Sequence, residues 1–139
     1  IAWKWLHMSV YLAYAYLDGE VTYASDPAVI GNDAPGVAHH NVSLWTAYDF
    51  REVGSLPGTI TVGGGLQYSS RYWADSANTA QMPENFSLDA MLAYKQDNFR
   101  ISLNAYNLTD HQNYQSSFNN VRAVPAPRRT FTVSIGTTF

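Results

Sequence analysis

The chain closes on FTVSIGTTF, residues 131–139, and the reading of this stretch decides the fold. Phe131, Val133, Ile135, Thr137 and Phe139 share one parity, and Thr132, Ser134, Gly136 and Thr138 share the other. Side chains alternate across a strand, so the segment predicts a strand with one apolar and one polar face. Working back along the chain, the same period recurs. Met8, Val10, Leu12, Tyr14 and Tyr16 share a face, as do Val42, Leu44, Thr46, Tyr48 and Phe50. Ile60, Val62, Leu66, Tyr68 and Tyr72 form a third set, Phe86, Leu88, Ala90, Leu92 and Tyr94 a fourth, and Phe99, Ile101, Leu103 and Ala105 a fifth. The periodicity predicts six strands, at 6–17, 41–51, 59–73, 86–95, 99–108 and 128–139. Soluble strands usually run about five or six residues, whereas strands tilted across a bilayer need about nine to eleven.

The connections alternate in length. Residues 18–38, 74–85 and 109–127 are long or medium polar loops, and 52–58 and 96–98 are short turns. Outer-membrane barrels have long external loops and short periplasmic turns. On that rhythm the chain starts at the periplasmic side, crosses six times and ends on the periplasmic side.

Composition agrees with a membrane barrel. Of 139 residues only 14% are charged, against about 25% in a typical soluble domain. Hydrophobic residues reach 46% and aromatics 14%, which excludes intrinsic disorder. A net charge of −3 leaves no basic field for nucleic acid. The absence of cysteine excludes disulfide frameworks and thiolate metal sites. The longest uncharged stretch, residues 53–70, holds Pro57 and several glycines, so it is no membrane helix. The first residue is Ile, and a fragment or processed piece is expected.

The two faces carry the argument further. No apolar-face position named above is Asp, Glu, Lys or Arg, whereas the opposite face holds Asp49, Arg51, Asp89, Lys95 and Arg100. Arg or Lys on the lipid face costs about 2–4 kcal/mol at mid-bilayer. Aromatics cluster at both strand ends, with Tyr48, Phe50, Tyr94, Phe99 and Phe139 at the short-turn end and Tyr14, Tyr16, Tyr68, Tyr72, Phe86 and Phe131 at the long-loop end. That is the two-girdle pattern of membrane barrels. The competing fold is a soluble sandwich or lipocalin-like barrel. Its outward polar face should be rich in Lys and Glu, but here it is mostly Ser, Thr, Gly, Ala and Asn. Six strands are too few to close a typical barrel, and open edges in lipid are costly. The expectation is therefore the C-terminal part of a larger barrel, occupying residues 1–139.

Five segments, in order, resemble the late barrel strands of TonB-dependent siderophore receptors. They are HHNVSLWTAYDF (39–50), GTITVGGGLQYSSRYW (58–73), MPENFSLDAMLAYK (82–95), ISLNAYNLTDHQNY (101–114) and VPAPRRTFTVSIGTTF (124–139). The fourth carries an N-L-x-D…Y motif and the last a P-R ending before the final Phe. Within the family the chain looks most like the catecholate siderophore, Fiu-type receptors. The first eight residues, IAWKWLHM, match less well. The resemblance implies an all-β fold, six antiparallel strands of an outer-membrane barrel of about 22 strands, with the family's N-terminal plug domain absent from this piece. It implies import of a ferric siderophore as cargo, no resident cofactor, and location in the bacterial outer membrane. The implied partners are TonB–ExbB–ExbD through the missing N-terminal part, the barrel-assembly machinery, and lipopolysaccharide. It also implies that Phe139, with Ile135, Val133 and Phe131 before it, is the signal that this machinery reads.

Ligand contacts are expected on the upper lumen wall and outer loops. Parity turns Arg71 and Trp73 inward at the long-loop end of their strand. Tyr114, Phe118 and Arg122 lie in the last long loop and Tyr23 in the first. Arg offers charge and stacking and aromatics offer π faces, a mix suited to an anionic, flat-faced ferric catecholate. The lower lumen charges Asp49, Arg51, Lys95 and Arg100 sit where a plug would dock, or else hydrate the lumen. Asn107–Leu108–Thr109–Asp110 interrupts the alternation and predicts a bend in which Asp110 bonds local backbone. Gly63–Gly64–Gly65 is no phosphate loop, since no helix or Lys follows; on a strand it lets a neighbouring backbone or a plug approach closely. His39 and His40 point to opposite faces and make no metal site. No serine sits in an elbow motif and the carboxylates are scattered, so no enzyme is expected. Two alternatives remain at this point, a passive porin or adhesin barrel and a soluble β-domain that binds a hydrophobic ligand.

Overall fold

A computed structural model describes residues 1–51, 53–119 and 122–138. Seven strands form one antiparallel sheet: β1 (Ala2–Trp5), β2 (Met8–Tyr16), β3 (His40–Arg51), β4 (Thr59–Ser69), β7 (Asn85–Gln96), β8 (Phe99–Tyr106) and β11 (Thr130–Thr137). They lie side by side in chain order. Two small hairpins stand outside the sheet, β5 (Tyr72–Trp73) with β6 (Gln81–Met82), and β9 (Tyr114–Asn119) with β10 (Arg122–Pro125). The first long loop holds a short 3₁₀ turn, Pro27–Val29, capped by Asp26.

Three features differ from the sequence reading. The opening residues form β1, paired from Ala2 opposite Tyr11 to Trp5 opposite Met8. The chain therefore begins by running down to the two-residue Leu6–His7 turn, where Leu6 takes φ 50, and only then rises as β2. The strand expected over 59–73 ends at Ser69, which moves Arg71 and Trp73 off the wall. The strand expected over 99–108 ends at Tyr106, because Asn107 turns left-handed at φ 52.

The register produces continuous rows across the sheet. Leu12, Leu44, Leu66 and Leu88 face one another in turn. A longer row runs Met8, Tyr48, Val62, Leu92, Leu103 and Val133. These rows lie on one face, and much of it is open: Leu92 is 51% exposed, Val133 63% and Ile135 70%. No side chain among the described residues is fully buried. A soluble sandwich would cover such a face with a second sheet, and none is present among the described residues. Exposed apolar rows of this extent require an apolar surrounding.

The other face is small and polar, with rows such as Ala13–Ser43–Gln67–Ser87 and Ala93–Ser102–Ser134. Here Trp45 explains two of the three consecutive glycines. A Cβ on Gly65 would fall 2.5 Å from Trp45 Cε3, and one on Gly63 would fall 3.0 Å from Cζ2. The Trp45 indole thus occupies the space of two missing side chains. The close approach expected at this triplet is made by a neighbouring strand's ring. Gly58, at φ +105, is required by the β3–β4 turn: its Cβ would meet the Lys95 carbonyl oxygen at 2.5 Å.

All short connections, at Leu6–His7, 52–58 and Asp97–Asn98, lie at one end of the sheet, and all long ones lie at the other. The polar face therefore has a short-turn end and a long-loop end.

Candidate functional site

The long-loop end is an assembled rim. The first long loop is fastened to the β5–β6 hairpin through Asp33. The Asp33 backbone N–H donates to Asn78 Oδ1 (3.0 Å), and Asn78 Nδ2 donates back to the Asp33 carbonyl (3.0 Å). The Trp73 indole N–H donates to Asp33 Oδ2 (3.1 Å), and Gly36 N–H donates to the Trp73 carbonyl (2.8 Å). The hairpin's own turn is held by Asp75, whose carboxylate accepts from the Thr79 hydroxyl and backbone N–H. Those bonds, the hydroxyl's first, hold the Asp75 carboxyl below its ordinary value of 3.8.

The last long loop is stitched to the sheet by asparagine side chains that imitate backbone. Asn113 pairs with both the N–H and carbonyl of Phe86, each at 2.8 Å. Asn85 does the same for Tyr114, at 2.9 and 2.8 Å. Asn107, only 4% exposed, accepts from His111 N–H and donates to its carbonyl, while its own N–H donates to Asp89 (2.9 Å). These bonds continue the ladder beside upper β7, beyond the end of β8.

Asp110 joins two motifs that lie far apart in the chain. It accepts from Arg129 N–H (3.0 Å) and from the Arg128 guanidinium (3.1 Å). Its side-chain partners are thus nearly twenty residues away, while its backbone N–H makes a local bond of the kind expected, to the Asn107 carbonyl (2.8 Å). The Arg129 N–H first, then Arg128, hold its carboxyl below the ordinary value. Arg129 also donates to the Leu108 carbonyl (3.3 Å). The N-L-x-D motif and the P-R motif form one staple between β8 and β11.

Between this rim and the upper polar face lies an open concavity of about 900 Å³. Asn41, Ser43, Gln67, Ser87 and Asp89 line it from the strands, and Tyr114 from the last loop. Most of its surface is apolar, from residues such as Ala13, Phe86, Tyr106 and Pro127; Arg128 adds a cation, and the Asp89 carboxylate is already engaged by Ser87 (2.6 Å) and Asn107.

Of the six residues expected to touch ligand, Tyr114 is the only one among the described side chains that lines the concavity. Arg71 sits 3.1 Å from Glu84, and Glu84 is lowered below its ordinary value, first by its own backbone N–H and then by Arg71. Trp73 is engaged by Asp33. Tyr23 projects at 89% exposure, and Arg122 is exposed at the start of β10. The side chain of Phe118 lies outside the described residues, as does Phe139. Sequence reasoning missed the lining residues Ser43, Gln67 and Ser87. Parity places all three on the inner face, but only the charged members of that face had been weighed.

The lower lumen residues do come together. Asp49, Arg51, Lys95 and Arg100 border a small hollow of about 210 Å³ at the short-turn end, with Thr59 and Thr61 between them. Asp49 Oδ1 accepts from Thr61 Oγ1 (2.7 Å). Among the described residues no group of three or more His, Asp or Glu is placed to hold a metal ion.

A single sheet with an uncharged apolar face, a polar concave face and loops segregated by length defines the wall of an outer-membrane β-barrel. Within that class, residues 1–108 match the family described as TonB dependent receptor-like, beta-barrel, and the chain belongs to it. It is 30% identical to the probable TonB-dependent siderophore receptor PiuA of Acinetobacter baumannii, over 95% of this chain and 18% of that receptor. The crystal structure of PiuA superposes with a TM-score of 0.81 over 94% of this chain and 19% of that one, at 29% identity. The metal-pseudopaline receptor CntO of Pseudomonas aeruginosa is 34% identical over 88% of this chain and 17% of its own length. The ferric-catecholate import receptor Fiu of Escherichia coli K12 superposes with a TM-score of 0.75, at 25% identity, over 96% of this chain and 19% of that one. The chain thus spans less than a fifth of these relatives. Its place is the bacterial outer membrane, and the family match sets aside the porin and soluble-domain readings.

Proposed function

We propose that this chain is a segment of the barrel wall of a receptor that imports ferric siderophores across the outer membrane. The observation that carries this reading is the pairing of a charge-free lipid face with a polar inner face that opens, under fastened loops, into a concavity of about 900 Å³. Its support comes from relatives whose names record siderophore or metal-chelate receptors. The cargo would meet Tyr114 and the Asn, Ser and Gln lining, with exposed Tyr23 and Arg122 above. Arg71 contributes charge only in partnership with Glu84, so a catecholate would be recognised through hydrogen bonds and aromatic faces more than through this cation. In this reading the ferric chelate is substrate and no resident cofactor is assigned. TonB–ExbB–ExbD would supply energy through parts of the receptor outside this segment. The barrel-assembly machinery would read the apolar face of β11, where Phe131, Val133 and Ile135 lie exposed, and lipopolysaccharide would surround the outer aromatic belt.

The test is uptake of radioiron by iron-starved source cells, supplied as ferric catecholate, with and without the gene that encodes this segment. Immunoblots of outer membranes accompany it. The expected result is a heat-modifiable band several-fold heavier than 15.5 kDa, induced by iron starvation, with uptake lost in the deletion and in a TonB-null strain. A soluble 15.5 kDa band indifferent to iron, or uptake independent of TonB, overturns the reading.

A further inference from the structure

Charge is divided unevenly between the two ends of the sheet. Residues 18–38, 70–84 and 107–129, with Asp89 below them, hold eight carboxylates against four arginines. The rest of the chain holds three carboxylates against four cations. The long-loop end is therefore acidic with its histidines neutral, although the whole chain carries a net charge of only −3. The arginines there are already engaged. Arg71 and Arg128 each sit 3.1 Å from a carboxylate, and Arg129 donates to the Leu108 carbonyl. Asp18, Glu20 and Asp26 in the first long loop are exposed and form no ion pair among the described residues. The concavity repeats the pattern. Arg128, the cation among its described lining residues, is the one held by Asp110, and Asp89 adds a carboxylate of its own. The remaining lining is apolar or neutral, with Asn41, Ser43, Gln67 and Ser87 as its hydrogen-bonding groups.

We infer that this wall selects ferric chelates of low net charge, neutral or cationic overall, and disfavours multiply anionic ones. The inference rests on the receptor reading above and names the charge class of its cargo. Three dianionic catecholates around Fe³⁺ make a triply anionic complex. Ammonium groups on the catecholate arms cancel that charge, and hydroxamates, with one negative charge each, leave none to cancel. A cleft lined by one sign of charge focuses its field and changes the on-rate of a charged ligand by about 10–10³-fold. Screening confines the effect to about 8 Å at physiological salt, so the acids that matter are those on the loops a chelate must pass and Asp89 beneath them. The lining adds a second discrimination. A mostly apolar surface takes the charge of a chelate out of water without a free cation to meet it, and burying an unpaired charge is costly. Neutral amides and hydroxyls serve a chelate whose own charges already cancel.

The test uses the intact receptor, purified from outer membranes in detergent, and two ferric tris-catecholates with the same iron-binding core. One is triply anionic, and the other is brought to neutrality by an ammonium group on each arm. Binding is read from quenching of the receptor's tryptophan fluorescence. The neutral chelate should bind about tenfold more tightly at low salt. Raising NaCl from about 0.01 M to about 0.1 M shortens the Debye length from about 30 to about 10 Å, which should tighten binding of the trianion and leave the neutral complex unchanged. Asp18→Asn with Glu20→Gln should narrow the preference by about two- to threefold. Asp97→Asn, at an exposed acid in a short turn of the opposite end, should leave it as it is. Heat-modifiable mobility of each variant reports that the barrel is formed. Equal or tighter binding of the trianion overturns the inference and leaves the receptor reading standing, and so does a preference that the first-loop variant fails to move. If neither chelate binds and TonB-dependent uptake is absent as well, the receptor reading falls and the inference with it.

Discussion

The sheet and the rim are built on different principles. From β2 to β11 the sheet keeps register through row after row without a slip. The rim's β9–β10 hairpin shifts register twice, and its loops hang on a few side chains: Asp33, Asn78, Asn85, Asn107, Asp110 and Asn113. The sheet spreads its stability over many repeated contacts and is sensitive to which face a residue occupies. The rim concentrates its stability in single polar groups and is sensitive to their deletion and to their charge.

Substituting across the two faces should break this comparison most sharply. Leu92→Arg places a charge in the longest apolar row and should cost on the order of 2–4 kcal/mol if it sits near mid-bilayer. Asn104→Arg, in the inner row between Met91 and Thr132, should be far milder. The folded fraction by heat-modifiable mobility measures both, and equal tolerance would undo the assignment of faces. Leu103→Arg against Ser102→Arg makes the same comparison one strand over, with the inner position more crowded because Ser102 is only 8% exposed.

Adjacent glycines sharpen the comparison at smaller scale. A Cβ at Gly65 would meet the Leu44 carbonyl oxygen and Trp45 Cε3, both at 2.5 Å, whereas one at Gly64 meets only the Asp89 oxygen at 3.6 Å. Gly65→Val should cost about 1–3 kcal/mol through overpacking, and Gly64→Ala should lie within about 0.5 kcal/mol of the parent. Denaturant midpoints in detergent separate the two. If Gly64→Ala proves the more damaging, Trp45 does not fill the strip as described.

The same contrast explains what the sequence discloses. A lipid-facing sheet imposes period two on every strand, so the spanning strands announce themselves in residues such as Leu12, Leu44, Leu66 and Leu88. β1 escapes because four residues are too few to show a period and because Leu6–His7 carries no Gly, Asn or Pro to mark the turn. Trp73 is misplaced because parity continues smoothly past Ser69 through a break at Ser70–Arg71 that no turn residue signals. Asn85, Asn107 and Asn113 read as ordinary loop polars, since an amide that imitates backbone has no pattern of its own. The Asp110 staple is invisible for a similar reason, because its partners Arg128 and Arg129 lie across an intervening hairpin.

Removing one rim residue should loosen the rim and leave the sheet intact. Asn78→Ala deletes the paired bonds to Asp33 and leaves Ala at φ 53, a local cost of about 1–3 kcal/mol. Protease cutting within residues 18–38 should rise while heat-modifiable mobility stays unchanged. Unchanged cutting would show that the first loop does not depend on the hairpin.

Acidification is the mildest probe and separates the two regions without mutation. Asp75, Glu84 and Asp110 all have folded-state values below their ordinary ones. Groups of this kind stabilise fully above the ordinary carboxylate range and lose that contribution as pH falls through the lower folded value. From pH 7 to 5 these three carboxylates contribute in full. As pH falls below 3.8, the ordinary value for Asp75 and Asp110, the Thr79 and Arg129 bonds weaken and the rim should open first. The described spanning strands hold few carboxylates, and their backbone ladder does not titrate, so mobility in the gel should persist where loop protection is already lost. A rim that stays protected to pH 3, or a sheet that fails together with it, would mean that the two regions share one source of stability after all.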